Sequence, residues 1–207
     1  MNTLLKLLNL PESAAPVIER TRLQIRSGLI NFGRVLDDTI EQMAEVVPGE
    51  RPVGQLRRDA RRLVEALAAR QQDEEKSWGE APTDVDRLLR AAASLRSEQI
   101  LFLEDHSVDQ RSGHGDARAI IQHDHNPMLV RGYVFYTRQD LEAAVEHSKL
   151  WLGFGGWGFT GTDTVLFALI GALHEAGLAF EASGVSTRVD VHIDWRRRGW
   201  ATGELYG

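Results

Sequence analysis

The chain has 207 residues, of which 43% are apolar and 26% charged, and its net charge is −6. That composition excludes a wholly disordered chain, a collagen, a coiled-coil rod and an integral membrane protein, and this length suffices for one large core without staples. Cysteine is absent, which excludes disulfide scaffolds, thiol nucleophiles, thiolate zinc sites and iron–sulfur clusters and fits a reducing, cytoplasmic compartment.

Taken in chain order, Met1–Leu10 is leucine-rich, but Lys6 and Asn9 interrupt it, so it reads as a short amphipathic helix and not as a secretory segment. Pro16 opens a helix through Ser27, which Gly28 ends. A second helix runs from Gly33 to Val47 and stops at Pro48-Gly49. Over Val53–Gln72, the residues Val53, Leu56, Ala60, Leu63, Val64 and Leu67 follow the helical period. Arg57, Arg58, Arg61 and Arg62 take the other face. Residues 1–80 hold 12 basic and 13 acidic residues, so this reads as a solvated face paired with Asp59 and Glu65, not as a nucleic-acid stripe. Residues 73–82 are polar and broken by Gly79 and Pro82, and read as a linker or long loop.

Thr83 has the chemistry of an N-cap, with Asp84 and Asp86 in the first turn of the helix that follows. From residue 100 the texture alternates. Ile100–Leu103 predicts a strand, 115–122 a helix, Gly132–Tyr136 a strand, and Gln139–His147 a helix capped by Thr137. Lys149–Phe154 predicts a strand and Thr164–Ala176 an apolar helix ending at Gly177. Leu178–Ala182 and Thr187–Ile193 pair as a hairpin about Ser183-Gly184. The fold class is therefore α+β, with N-terminal helices (residues 1–80) followed by a mixed β-sheet covered by helices (81–207). The longest late apolar stretch, Val165–Ala172, is too short to span a membrane.

Three constellations could carry chemistry. Gly153-Phe154-Gly155-Gly156-Trp157-Gly158 matches G-x-G-x-x-G after a strand and before a helix, and Glu181 ends the next strand. In a dinucleotide site the last glycine sits at the helix start. Here Phe159–Asp163 intervenes, Glu181 falls late, and only one strand follows the one that carries it, too few to complete a doubly wound sheet. The alternative is a strand-to-helix loop that offers Trp157 and Phe159 to a protein partner. Second, His106, His114, His123 and His125 fall within twenty residues, beside Asp105, Asp109, Asp116 and Asp124. Imidazole and carboxylate suit a divalent transition metal, although His123 and His125 share a face only if extended; the alternative is a polar loop. Third, Asp194-Trp195-Arg196-Arg197-Arg198 sets an indole beside three guanidinium groups. Trp195, Arg196 and Arg197 could hold an acidic group of a partner, or Trp195 could pack on the domain with the arginines in water. No G-x-S-x-G elbow is present.

Ile25-Arg26-Ser27-Gly28-Leu29, Thr83–Leu88, Gly132-Tyr133-Val134-Phe135-Tyr136 with Gln139-Asp140, Leu150–Gly155, Ala176-Gly177-Leu178 and Asp194–Arg198 together form a pattern. By these motifs the chain resembles an uncharacterised, largely actinobacterial domain-of-unknown-function family. Members carry C-C-x-x-C-G-H after the strand near residue 100. This chain has Ser112-Gly113-His114 there, and Thr137 where the family usually has histidine. A thiolate metal site does not carry over, and the resemblance implies a fold more than an activity. Two functional expectations follow. The first is a non-enzymatic cytoplasmic binding protein recognising another macromolecule, with an immunity, antitoxin or regulatory role. Its acidity suits a protein partner and disfavours nucleic acid. The second is a metal-dependent hydrolytic enzyme using the histidine cluster.

Overall fold

The structure is a computed structural model that describes residues 2–46, 52–123, 126–182 and 187–199. It divides into two compact units. One comprises the chain up to Ala81 together with the segment from Arg196; the other is Pro82–Trp195. The boundary between them thus falls at Ala81–Pro82, and the described residues 196–199 return to the first unit.

The first unit is helical: α1 (Asn2–Leu7), a short 3-10 turn at Glu12–Ala14, α2 (Ala15–Ser27), α3 (Phe32–Val46) and α4 (Val53–Ser77). Pro16 lies in the first turn of α2, where its missing N–H costs nothing. Gly28 ends α2 in the left-handed region at φ 68°, and the stem of Arg197 lies where a side chain at that position would go. The apolar faces of α2 (Val17, Ile18, Ile25), α3 (Val35, Leu36, Met43) and α4 (Leu56, Leu63, Val64, Leu67) close on one core. Two polar groups share it. Thr21 and Thr39 each donate to the carbonyl one turn back, at 2.8 and 2.7 Å, so neither hydroxyl is a buried orphan.

The reading of residues 73–82 as a loop is corrected here: α4 continues to Ser77. Polarity had suggested a break, yet Gln, Glu and Lys are good helix formers, and Lys76 pairs with Asp73 at 2.8 Å one turn back. On the exposed face Arg61 pairs with Glu65 at 3.8 Å.

The second unit holds α5 (Asp84–Ser97), β1 (Ile100–Leu103), α6 (Gln110–His123), β2 (Gly132–Phe135), α7 (Arg138–His147), β3 (Lys149–Gly156), α8 (Thr162–Ala176), β4 (Ala179–Ala182) and β5 (Arg188–His192). Thr83 and Thr137 each close a reciprocal capping box, with Asp86 and Asp140 at the third helical position. The five strands form one mixed sheet in the order β1-β2-β3-β5-β4. Only β1 and β2 run parallel, joined through α6; the other neighbours are antiparallel, including the β4–β5 hairpin. The fold is α+β. The turn expected at Ser183-Gly184 lies outside the described residues.

The sheet's two faces differ. Phe102, Val134, Leu150, Leu152, Phe154, Val189 and Val191 alternate toward one face and are buried; α5 and α8 pack there. On the opposite face α6 packs over β2 and the adjoining part of β3, and α7 packs against β3. There Tyr133, Phe135, Ala117 and Ile121 form a small aromatic core. Beyond α6 this face carries Lys149, Trp151, Arg188, Asp190 and His192, of which Arg188 and His192 are exposed and the other three half-buried.

Candidate functional site

The glycine run is part of β3, not a free loop. The strand extends to Gly156, two residues beyond the expected end. Gly153 pairs with Phe135 and Gly155 with Tyr133. Each aromatic ring lies over the glycine opposite it. A Cβ at Gly153 would stand 2.5 Å from Phe135 Cζ, and one at Gly155 would stand 2.5 Å from Tyr133 Oη. These glycines make room for rings, as cross-strand aromatic–glycine pairs do in sheets. They present no amide cradle at a helix start, so the dinucleotide outline has no counterpart in the fold.

After β3 the chain turns tightly. Trp157 donates its N–H to Arg131 O at 3.0 Å, and its partly buried side chain packs on the Tyr133–Phe135 core. Thr160 N–H donates back to Trp157 O at 3.1 Å. Gly158, at the tip, has φ +63° and open space around its α-carbon. Phe159 follows with a relative exposure of 109%. Of the aromatic pair read from sequence, Trp157 is half-buried against this core and Phe159 is fully exposed.

The histidines are held in separate places. His106 lies between β1 and α6 and donates its backbone N–H to Tyr136 O at 2.9 Å; its Nε2 is buried without a partner. His114, in the first half of α6, places Nδ1 3.2 Å from Tyr133 Oη and stands edge-on to Phe135, with 5.0 Å between centroids. Burial of the ring pushes its pKa below 6.5, and Arg118 adds to the shift. His123 is exposed at the end of α6, nine residues on, about 13.5 Å along the axis from His114. His125 lies outside the described residues. No set of three His, Asp or Glu side chains able to hold a metal ion occurs among the described residues. The nearby acids have other tasks. Asp105 pairs with Arg138 at 2.7 Å. Asp109 caps α6, and hydrogen bonds from the backbone and side chain of Ser112 hold its carboxyl below the usual carboxylate range.

The C-terminal segment splits. Trp195 is 3% exposed and meets Tyr136 edge-on at 5.9 Å. Its ring is a core group, which corrects its placement among partner-binding residues: the strand-like alternation of this segment turns the indole inward. Arg196 is exposed and lies with Arg198 over the Trp78 ring, each 6.0 Å from its centroid. Arg197 is half-buried, its stem against Gly28.

Sequence reasoning missed a shallow cleft of about 450 Å³ on the open face of the sheet. The starts of α6 and α7 bring Gln110, Arg111 and Gln139 to it, and the sheet brings Trp151 and Arg188. Asp140 forms its floor and is 2% exposed. Its Oδ2 accepts from Thr137 N, Thr137 Oγ1 and Gln110 Nε2 at 2.8, 2.6 and 2.6 Å. Trp151 sits between two cations, Lys149 Nζ at 5.5 Å and Arg188 Cζ at 5.4 Å. The period-two spacing of Lys149, Trp151 and Gly153 was the available signal. It became informative only once β5 laid Asp190 and Arg188 beside it.

These features define an α+β protein whose mixed sheet is closed by two helices on one face and left partly open, polar and aromatic on the other. The chain belongs to the domain-of-unknown-function family DUF6891, whose model matches residues 11–199. No curated protein and no solved structure matches it. No helix among the described residues is long and apolar enough to cross a membrane.

Proposed function

We propose that this protein is a non-enzymatic binding protein of the bacterial cytoplasm that recognises another protein, in an immunity-, antitoxin- or regulator-like role. The observation that carries the reading is Phe159. It is a fully exposed aromatic ring at a loop tip whose base is pinned by Trp157. An aromatic side chain with few rotamers, held out on a fixed turn, loses little entropy when a partner covers it. A net charge of −6 suits a basic partner and fast, salt-sensitive association. The hydrolytic alternative has weaker support, because the described histidines do not converge on one point.

The test is capture from a bacterial lysate at low salt on immobilised full-length protein, in parallel with Phe159→Ser. A partner retained by the native chain, lost by the variant and released by salt supports the reading. An identical set of proteins on both columns, or none on either, overturns it.

A further inference from the structure

The helical unit contains a cavity of about 280 Å³ between α1, α2 and α4. Its floor is apolar: Leu4, Ile18, Ile25 and Leu67. Its rim is charged. Helix α2 contributes Glu19, Arg22 and Arg26, and α4 contributes Arg70, Gln71 and Glu74. The spacing explains the convergence. Ile18, Arg22 and Ile25 recur at helical period on one face of α2, and Leu67, Arg70, Gln71 and Glu74 do so on α4. The two faces oppose each other across the space.

The charges of this rim are incompletely matched. Arg22 is paired with Glu19 at 3.6 Å. Arg26 and Arg70 make no ion pair among the described residues, and Glu74 stands one turn from Arg70 without bonding it. Arg26 is also half-buried, whereas Arg70 is exposed. Gln71 is 5% exposed; its amide nitrogen donates to Glu75 at a long 3.4 Å, and the cavity is where its side chain lies. A concave apolar floor with a few convergent polar groups is how small-molecule sites are built.

We infer that this cavity binds a small amphiphilic anion: an organic carboxylate or phosphate monoester with a short apolar tail. The tail lies on Leu4, Ile18, Ile25 and Leu67, and the anionic head meets Arg26 and Arg70. Guanidinium groups suit both heads, because their planar donors match two oxygens at once. With Arg22 neutralising Glu19, and two arginines facing Glu74, the rim favours one negative charge. A 280 Å³ space limits the ligand to a short chain.

The probes are hexanoate, hexyl phosphate, 1-hexanol and inorganic phosphate, titrated calorimetrically into the full-length protein. Saturable binding of hexanoate or hexyl phosphate is expected, and whichever binds more tightly identifies the head group. Hexanol and inorganic phosphate each lack one half of the ligand and bind at least about tenfold more weakly. The doubly substituted Arg26→Gln, Arg70→Gln protein, with an unchanged circular dichroism spectrum, loses at least about tenfold in affinity for the anion. If that variant does not fold, Arg70→Gln alone, at an exposed position, carries the same expectation with a smaller loss. Absence of saturable binding by both hexyl anions, equal binding of hexanol, or undiminished binding by the variants overturns the inference.

Discussion

His114 on α6 reaches across to the sheet and sets its Nδ1 3.2 Å from the Tyr133 hydroxyl. Tyr133 in turn lies over Gly155 of the neighbouring strand. Helix, ring and glycine are thus stacked through three layers of the same small core. Burial, and then Arg118, disfavour the charged form of the imidazole. The folded pKa lies below 6.5, so the folded chain binds fewer protons than the unfolded one between the two values. The stability contributed by neutral His114 is therefore complete above pH 6.5 and falls as pH drops through the folded pKa. Urea unfolding at pH 7.5 and 5.5 checks this. His114→Phe, which keeps the contact with Phe135, should show a smaller loss of stability between those pH values. An equal loss in both proteins would place the acid sensitivity elsewhere.

Gly153 and Gly155 should not tolerate even a methyl group. A Cβ at either position meets a buried ring, and at Gly153 it also meets Gln110. Gly155→Ala and Gly153→Ala are each expected to destabilise by about 1–3 kcal/mol, the usual cost of overpacking. Gly171→Ala is the control: nothing lies within 4 Å of its added methyl, and at an exposed position inside α8 the change should hold or slightly raise the denaturant midpoint.

Asp140→Asn should cost about 2 kcal/mol, because one buried oxygen accepts three hydrogen bonds, including one half of the capping box. Thr137→Ala removes the Oγ1 bond to that oxygen, together with the bond from Asp140 N–H to Oγ1, and should cost about 1 kcal/mol as an ordinary cap loss. The double variant should lose less than the sum, since both act on one network. Thermal melts of the four proteins give the coupling.

Phe159 and Trp157 are neighbours with opposite expectations. Phe159→Ser should leave the unfolding free energy within about 0.5 kcal/mol, since a fully exposed ring leaves no cavity. Trp157→Ala should destabilise, by roughly 1–3 kcal/mol, because its ring packs on the Tyr133–Phe135 core. Trp195→Ala should cost about 3–5 kcal/mol, as expected for a large core aromatic and unlike a surface tryptophan. Guanidinium denaturation of the three variants separates core from surface directly.

The sequence by itself determined most of the local structure. Thr83 and Thr137, each with Asp three residues later, marked two helix starts that the structure closes as capping boxes. The apolar run Ile100–Leu103 marked that strand to the residue. These signals are local, because a cap or a short apolar run is written within one turn or one strand. The end of α4 was illegible because charged residues look alike in a loop and on a solvated helix. Where each described, chemically suggestive residue lies was decided by tertiary structure. Glycines that spelled a nucleotide motif lie under rings from a strand twenty residues earlier. Trp195 turned inward onto Tyr136, and Phe159 remained outside. Arg26 and Arg70, forty-four residues apart, came to rim one cavity only because α2 and α4 present matching faces. Burial, charge matching and ring packing depend on partners distant in the chain, and no local period records which partner will arrive.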